Sequence, residues 1–210
     1  MMKIAVLGAN GRSGKIFVEE ALKEGHRIRA GVYKNNNLMP NPNLEIAECD
    51  ASDKKQVSDL VKNADVVVSL IGHVKNSPKD TQTIAIKNII DSISPKTRVI
   101  SLTGTGVRVT GDKISFIDRV LNFSIKIIDP DRIKDGVNHL KELQASNVDF
   151  TVIRVLKLTN SGLKKFSFSE GGPAKIFVSR HEVAEGILRV IDSSIYNKKT
   201  PIISRYKNAR

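Results

Sequence analysis

The residues best suited to chemistry are three closely spaced glycines, Gly8, Gly11 and Gly14, in the segment GANGRSG. They follow a short apolar run and precede a segment with helical periodicity. This spacing allows a tight turn, brings backbone close to a diphosphate, and leads into a helix whose N-terminus supplies free N–H groups. The pattern predicts a dinucleotide-binding loop, the alternative being a glycine turn with an empty pocket. The expected contacts in the loop are Gly8, Asn10, Gly11, Arg12, Ser13 and Gly14.

The choice of dinucleotide depends on the end of the second predicted strand. An Asp or Glu there would accept hydrogen bonds from the adenosine ribose and select NAD. This chain has Tyr33 and Lys34 instead. Lys34 and Arg12 can pair with a 2′-phosphate, so the predicted cofactor is NADPH and NAD is disfavoured. The alternative is that Lys34 is only a solvated lysine.

Further cofactor contacts are expected where the next predicted strands end. Asp50, with Ala51 beside it, follows the third strand and is placed to meet the adenine. Alternatively, Asp50 caps the helix that follows. The fourth strand ends at Ile71, and after it Gly72 and His73 let a cofactor lie against backbone.

Catalytic groups are harder to assign. Ordinary short-chain dehydrogenases need a tyrosine with a lysine four residues later, because the ammonium lowers the tyrosine pKa. None of the three tyrosines, Tyr33, Tyr196 and Tyr206, has that lysine. The histidines and Cys49 show no metal-ligand spacing, so no metal is predicted. A nicotinamide enzyme of this kind needs an acceptor that requires little proton assistance, or the chain is not an enzyme.

The elements that position these residues follow from alternating apolar and amphipathic segments. The apolar runs predict strands at Lys3 to Leu7, Arg27 to Val32, Leu44 to Glu48, Val66 to Ile71, Arg98 to Leu102 and Phe150 to Val155. The amphipathic segments predict helices at Gly14 to Lys23, Lys54 to Lys62, Asp80 to Ser92, and Ser115 to Gln144 with a break near Pro130. Such repetition requires right-handed crossovers, so the predicted fold class is α/β, a doubly wound parallel sheet of the Rossmann type.

The pattern changes after Val155. A polar and aromatic segment, KKFSFSEGG, is followed by KIFV, a helix from about His181 to Ile191 and a last strand near Pro201 to Ser204. We predict one domain over residues 1–210, in which residues 156–210 form a small substrate-side extension over the mouth of the site.

Composition limits the partners. Lys and Arg number 34 against 22 Asp and Glu, a net charge of +12, which attracts phosphorylated cofactors and acidic ligands. The basic residues are scattered and no nucleic-acid-binding motif occurs, so nucleic acid is not an expected partner. No apolar run is long enough to span a bilayer, and no membrane partner is expected. The single cysteine, Cys49, fits a reducing cytoplasm, the expected location.

Several segments together resemble a known family. They are KIAVLGANGRSG, VVVSLIGH, VISLTGTG, FTVIRVLKLTN and the late block EGGPAKIFVSRHEVAEGILRVI. The chain resembles the atypical short-chain reductases that include biliverdin IXβ reductase/flavin reductase and the NmrA-like NAD(P)-binding proteins. The resemblance implies an NADPH-binding Rossmann core, a monomer or loose oligomer, and hydride transfer to a planar acceptor, anionic ones included. It places Thr103 to Thr105 beneath the nicotinamide.

The resemblance is weaker at the substrate end. Gly104 stands where the flavin and biliverdin reductases have a serine, and Val155 to Lys157 replace their Pro-Pro-His. Lys157 is the candidate for holding an anionic acceptor group or stabilising developing charge, the alternative being a surface lysine. Thr103 and Thr105 are the other catalytic candidates.

Three functions therefore compete. The first is an NADPH-dependent reductase of flavin-like, biliverdin-like or quinone-like acceptors. The second is a non-catalytic NADP-binding redox sensor of the NmrA-like type, which the missing tyrosine–lysine pair keeps open. The third, an epimerase or dehydrogenase of sugars or steroids, is disfavoured by the same absence. A monomer is the favoured assembly.

Overall fold

A computed structural model describes residues 1–74, 77–162 and 165–205. Residues 206–210, which include Tyr206 and the end of the basic tail, lie outside the described residues, as does Lys164 at the start of KKFSFSEGG. The strands are β1 (Lys3–Leu7), β2 (Arg27–Val32), β3 (Leu44–Glu48), β4 (Val66–Ser69), β5 (Arg98–Gly104), β6 (Asp149–Val155), β7 (Lys157–Thr159), β8 (Phe166–Ser169), β9 (Phe177–Ser179) and β10 (Ile202–Arg205). The helices are α1 (Arg12–Lys23), α2 (Lys54–Val61), α3 (Thr81–Ile90), α4 (Phe116–Ile128), α5 (Pro130–Ala145) and α6 (Arg180–Ile191).

The main sheet has the strand order β3-β2-β1-β4-β5-β6-β10-β8. Strands β1 to β6 are mutually parallel, β10 runs parallel to β6, and β8 runs antiparallel to β10. The order of the first six strands is that of a Rossmann fold, in which the chain reverses direction across the sheet between β1 and β4. The predicted fold class is confirmed.

Apolar side chains on both faces of this sheet hold the helices. In β1, Ile4 and Val6 belong to the core under α1 and α6, whereas Ala5 and Leu7 belong to the core under α2, α3 and α5. Successive side chains of a strand point to opposite faces, so a strand that is apolar at every position must be buried on both sides.

The predicted elements differ from the structure mainly at their ends. The first three strands have the predicted bounds, while β4 ends at Ser69 rather than at Ile71 and β5 continues to Gly104. The predicted break near Pro130 separates α4 from α5, with Pro130 in the first turn of α5. Proline fits there because its missing N–H would have no partner inside the helix.

The segment after β6 contributes strands to two sheets. Its last strand, β10, and β8 extend the main sheet, while β7 and β9 form a separate two-stranded parallel sheet at its margin. Helix α6 begins with a capping box, in which Ser179 and Glu182 each accept a hydrogen bond from the other's backbone N–H.

Helix α5 contains a buried histidine, His139, that is neutral at pH 7. Burial lowers the pKa of His139 to about 4, although the carboxylate of Asp135, four residues earlier, raises it. The ordinary value in an unfolded chain is 6.5. Folding therefore favours the neutral imidazole.

We expect the free energy of unfolding to fall as the pH is lowered from 6.5 to 4. Above pH 6.5 the imidazole is neutral in both states, but below it the unfolded chain binds a proton that the folded chain does not. The loss from this one group is ~3 kcal/mol at full extent. Urea unfolding of the parent and of His139→Gln across this range measures it, and identical pH profiles would contradict the expectation.

Candidate cofactor site

The glycine loop joins β1 to α1 with very little space. A Cβ on Gly14 would lie 2.2 Å from the carbonyl oxygen of Gly8 and 2.6 Å from that of Ala9. Gly8 has a φ of +74°, and a Cβ on it would lie 3.1 Å from the carbonyl oxygen of Leu70. The Gly11 N–H donates to the Gly8 carbonyl at 3.0 Å. Both the backbone conformation at Gly8 and the helix contact at Gly14 therefore require glycine.

The N-terminus of α1 is open to an anion. Gly11 occupies the N-cap position, where no described side chain accepts from the first turn, and that turn carries no acidic residue. The N–H groups of a first helical turn have no partners within the helix and lie at the positive end of its dipole. Arg12 is exposed beside them and Ser13 is half-buried. This combination suits a diphosphate.

Asn10 holds the loop in place. Its side-chain amide donates to the carbonyl of Asn35, and its oxygen accepts from the Asn37 N–H at 3.2 Å. The sequence predicted Asn10 as a cofactor contact. In the structure its side chain connects the glycine loop to the segment after β2.

The end of β2 is basic and exposed. Tyr33 and Lys34 both face solvent, and the Lys34 Nζ lies 4.8 Å from the centroid of the Tyr33 ring. Lys34 has a φ of +65°, the left-handed region that non-glycine residues seldom adopt. The tight turn brings both side chains close to the segment that Asn10 contacts.

After β3, Asp50 and Asp53 have separate roles. The Asp50 carboxylate accepts from the Ser52 N–H at 2.8 Å and from its hydroxyl at 2.7 Å. The cap of α2 is Asp53, which accepts from the N–H groups of Lys55 and Gln56. The alternative that Asp50 caps this helix is therefore wrong, because the chain makes one more turn before the helix begins. The carbonyl of the adjacent Ala51 accepts from Asn88 at 3.0 Å.

The end of β4 is tied to a buried carboxylate. The His73 Nε2 lies 2.8 Å from Asp135 Oδ2, and the carbonyl of Ile71 accepts from the Gln82 side chain at 3.0 Å. Asp135 also accepts from the N–H groups of Gln82 and Thr83 and so caps α3 from α5. Gly72, between Ile71 and His73, is exposed. Sequence reasoning missed Asp135, because nothing near it in the chain indicates a partner 62 residues away.

The end of β5 presents one buried hydroxyl and an exposed glycine. The Thr103 hydroxyl packs against Gly136, where a Cβ would lie 2.8 Å from it, and Gly104 is exposed. The Thr105 hydroxyl lies 3.2 Å from Asp118 and accepts from Asn122 at 3.1 Å. Thr105 thus holds α4 in place, while Thr103, the residue before the last in β5, packs against α5.

Beyond β6, Lys157 is exposed at the start of β7, with its Nζ 5.6 Å from the centroid of the Phe177 ring. Arg154, by contrast, is buried in β6 and pairs with Asp112. Burial would raise the pKa of Asp112, but hydrogen bonds from Arg154 and from the Val109 N–H lower it overall.

A second arginine, which the sequence analysis did not single out, lies near the glycine loop. Arg180 is buried at the start of α6, and its guanidinium donates to the side-chain oxygen of Asn160. Burial lowers the pKa of Arg180, and the neighbouring charge of Arg12 lowers it further. The two side chains concentrate positive charge beside the N-terminus of α1. The only sequence signal was its place in the block SRHEVAEG.

Comparison with known proteins shows the family of the chain. The sequence matches the family model described as NAD(P)H-binding over residues 8–194. The chain belongs to this NAD(P)H-binding family. The matched region begins at Gly8 and so includes the glycine loop, and the predicted class of cofactor is confirmed.

Solved structures of other proteins share the fold of this chain. A candidate NADH-flavin reductase from Streptococcus pneumoniae superposes with a TM-score of 0.80 and 20% identity, over 98% of this chain and 100% of that one. A short-chain dehydrogenase/reductase from Veillonella parvula in complex with NADP gives 0.81 and 17%, over 97% and 94%. The resemblance inferred from the sequence is confirmed.

A curated relative matches over a shorter region. Protein TIC 62, chloroplastic, from Arabidopsis thaliana is 29% identical in the aligned part, which covers 42% of this chain and 18% of that protein. The chain thus spans about a fifth of the length of this relative.

Residues 1–74, 77–162 and 165–205 form no helix with the length and apolar character that crossing a bilayer requires. The same residues contain no group of three or more His, Cys, Asp or Glu side chains arranged to hold a metal ion. In this NAD(P)H-binding protein, the contacts assigned to individual residues stay predictions.

We expect Gly14→Ala to weaken NADPH binding roughly tenfold or more, because the added methyl must displace the backbone that forms the loop. The matched control is Gly162→Ala, at an exposed glycine where a Cβ would meet nothing within 4 Å. Isothermal titration calorimetry with NADPH compares the two. If Gly14→Ala binds like the parent, the loop does not hold the diphosphate.

Proposed function

We propose that the protein is an NADPH-dependent reductase that transfers hydride to a flavin-like, biliverdin-like or quinone-like acceptor. The main support for this proposal is the uncapped N-terminus of α1, which has Arg12 and Arg180 beside it and no acidic residue in its first turn. An anion with two charges complements such a site. The diphosphate of a dinucleotide meets this need.

The other cofactor contacts follow from the order of the strands. The adenine would lie near Asp50 and Ala51, at the side of the sheet where β3 ends. The 2′-phosphate would face Lys34 and Arg12, and Tyr33 would flank the adenosine. The cofactor would extend past Ile71, Gly72 and His73, and its nicotinamide would lie above Thr103 and Gly104. The exposure of Gly72 and Gly104 supports this path, because a flat ring can approach backbone there.

Bound NADPH supplies a hydride from C4 of the nicotinamide. The chain's contribution is to orient the cofactor and to leave its reactive face open to a stacked acceptor. The described tyrosines do not lie where an acid would be needed. Tyr33 is at the adenosine side of the sheet, and Tyr196 packs against Phe168 with ring centroids 5.1 Å apart. This favours an acceptor that delocalises the charge it receives.

Lys157 is the group proposed to meet the acceptor. It is exposed and lies on the aromatic ring of Phe177, at the margin formed by β7 and β9. An ammonium there can bind an anionic substituent or stabilise negative charge that develops on a reduced acceptor. Among solved structures of the same fold, the candidate NADH-flavin reductase supports this class of acceptor. We further infer a monomer that acts in a reducing cytoplasm.

The second candidate is an NADP-binding redox sensor without chemistry. The observation that favours it is the engagement of the Thr105 hydroxyl by Asp118 and Asn122, which removes one of the three catalytic candidates from the reacting end. A sensor would bind NADPH by the same loop and strand ends. The two functions therefore differ only in whether bound NADPH is oxidised.

We expect NADPH to bind roughly tenfold more tightly than NADH, a difference of ~1.4 kcal/mol that one charge-assisted contact can supply. Lys34→Ala and Arg12→Ala should each reduce this preference, and Lys96→Ala, at an exposed lysine far from the loop, should not. Calorimetric titration with both cofactors measures the ratio. Equal affinities in the parent would show that no 2′-phosphate site exists.

We expect Lys157→Ala to lower turnover roughly ten- to a thousandfold with FMN, biliverdin or a simple quinone while NADPH affinity stays unchanged. Lys157→Arg should retain most of the rate, because it keeps the charge. Steady-state NADPH oxidation at 340 nm, with calorimetry as the binding control, gives both quantities. Absence of saturable oxidation by the parent with every acceptor would favour the sensor, and unchanged turnover would remove Lys157 from the mechanism.

A further inference from the structure

Helix α4 carries an apolar face that no described residue covers. Thirteen large hydrophobic side chains are exposed in the described structure, and six of them lie on this one helix. They are Phe116, Ile117, Val120, Phe123, Ile127 and Ile128, with exposures between 45% and 82%. Positions 116, 120, 123 and 127 recur at the helical period and form one continuous stripe. A contiguous apolar patch of this kind marks an interaction surface.

The opposite side of α4, which faces the body of the protein, carries two buried polar residues beside the half-buried Leu121 and Ile125. Asp118 and Asn122 are its buried residues, and both bond to Thr105 at the end of β5. Gly106 makes this contact close, since a Cβ there would lie 2.7 Å from the Asn122 side-chain oxygen. The helix is therefore held by buried hydrogen bonds. Turning its apolar face inward would break them and leave polar groups without partners.

The charges around this face are basic. Arg119 and Lys126, seven residues apart, lie together on one flank of the apolar stripe, and both are exposed. Neither has a carboxylate partner among the described residues. The acidic residues nearest in the chain have other partners: Asp118 bonds to Thr105 and Asn122, Asp112 pairs with Arg154, and Asp129 pairs with Arg132. The surface around α4 thus presents positive charge that the chain itself does not neutralise.

We propose that α4 binds the surface of an anionic lipid bilayer, with its apolar stripe at the boundary between headgroups and acyl chains and with Arg119 and Lys126 on lipid phosphates. An amphipathic helix with one apolar face and flanking cations has the features that such a surface selects. This is contact with one leaflet, not a crossing. The sequence-based expectation of no membrane partner considered spanning segments only, and the orientation of α4 adds a surface that it could not include.

A second copy of the chain is a poorer partner for this face. Each copy carries a net charge of +12, which opposes self-association. In an antiparallel two-fold pairing of α4 helices, each Arg119 would lie beside the Lys126 of the second copy, because the same flank meets itself. Like charges at that position cost affinity. An anionic surface instead complements both the flank and the net charge.

Co-sedimentation with vesicles tests the proposal. The parent is mixed with vesicles of phosphatidylcholine alone or of phosphatidylglycerol and phosphatidylcholine in equal parts, and the pelleted fraction is measured. We expect binding to the anionic vesicles. The double variant Phe123→Ser/Ile127→Ser should reduce the partition coefficient roughly tenfold or more, because both side chains lose their transfer into the bilayer. Arg119→Gln/Lys126→Gln should reduce it by a similar factor on anionic vesicles.

The matched control is Ile195→Ser, because Ile195 and Ile127 are both 67% exposed and Ile195 lies outside α4. It should bind vesicles like the parent. Circular dichroism and NADPH titration show that each variant is folded. Because a basic protein can bind anionic vesicles by charge alone, equal binding by Phe123→Ser/Ile127→Ser and the parent overturns the proposal. So does failure of the parent to bind.

Sedimentation velocity tests the alternative that a second copy of the chain, rather than a bilayer, covers α4. If the parent is a dimer that Phe123→Ser/Ile127→Ser converts to a monomer, α4 is an interface between copies and the membrane proposal is wrong. A monomeric parent that binds anionic vesicles through α4 supports it. These outcomes do not depend on whether the protein reduces any acceptor. Failure of the membrane proposal would therefore not contradict the proposed reductase function.

Discussion

The contact between the start of α1 and the end of β1 sets the geometry on which the cofactor site depends. Because Gly14 has no side chain, the helix backbone packs directly against the carbonyls of Gly8 and Ala9. This contact aims the uncapped N–H groups of α1 across the carboxyl edge of the sheet. The flanking strands β2 and β4 then place Lys34 and His73 on either side. A larger residue at position 14 would displace the helix from the strand, and the anion site would no longer face the sheet edge.

Two buried ions organise the rest of that edge. Asp135 joins the end of β4, through His73, to the start of α3, and Arg154 joins β6 to the loop after β5 through Asp112. Each lies in a position that water does not reach, so each must have its partners. Removing Asp112 would cost ~3–5 kcal/mol, because the charge of Arg154 would stay buried without its partner. The loops that would meet the nicotinamide are therefore held by electrostatics as much as by packing.

Positive charge is concentrated at two separate places in the chain, the glycine loop and α4. At the glycine loop, the charge of Arg12 adds to burial in lowering the pKa of Arg180, so a bound anion would be favourable beside both side chains. At α4, Arg119 and Lys126 accompany an apolar face whose outward direction is decided by the hydrogen bonds of Asp118 and Asn122 to Thr105. Because Thr105 directly follows the last residue of β5, these hydrogen bonds connect the proposed membrane surface to the carboxyl edge of the sheet.

The sequence by itself determined the elements whose signals are local. Alternation of apolar runs and amphipathic segments predicted a doubly wound sheet of the Rossmann type, and the glycine spacing predicted the loop, because periodicity and backbone freedom act over a few residues. Tertiary structure alone decided the pairings between distant parts. Asp135 meets His73 across 62 residues and Arg154 meets Asp112 across 42, and no local pattern specifies either contact. It also decided which face of α4 points outward, since a helical period gives two faces but only the contact with Thr105 selects the polar one for burial.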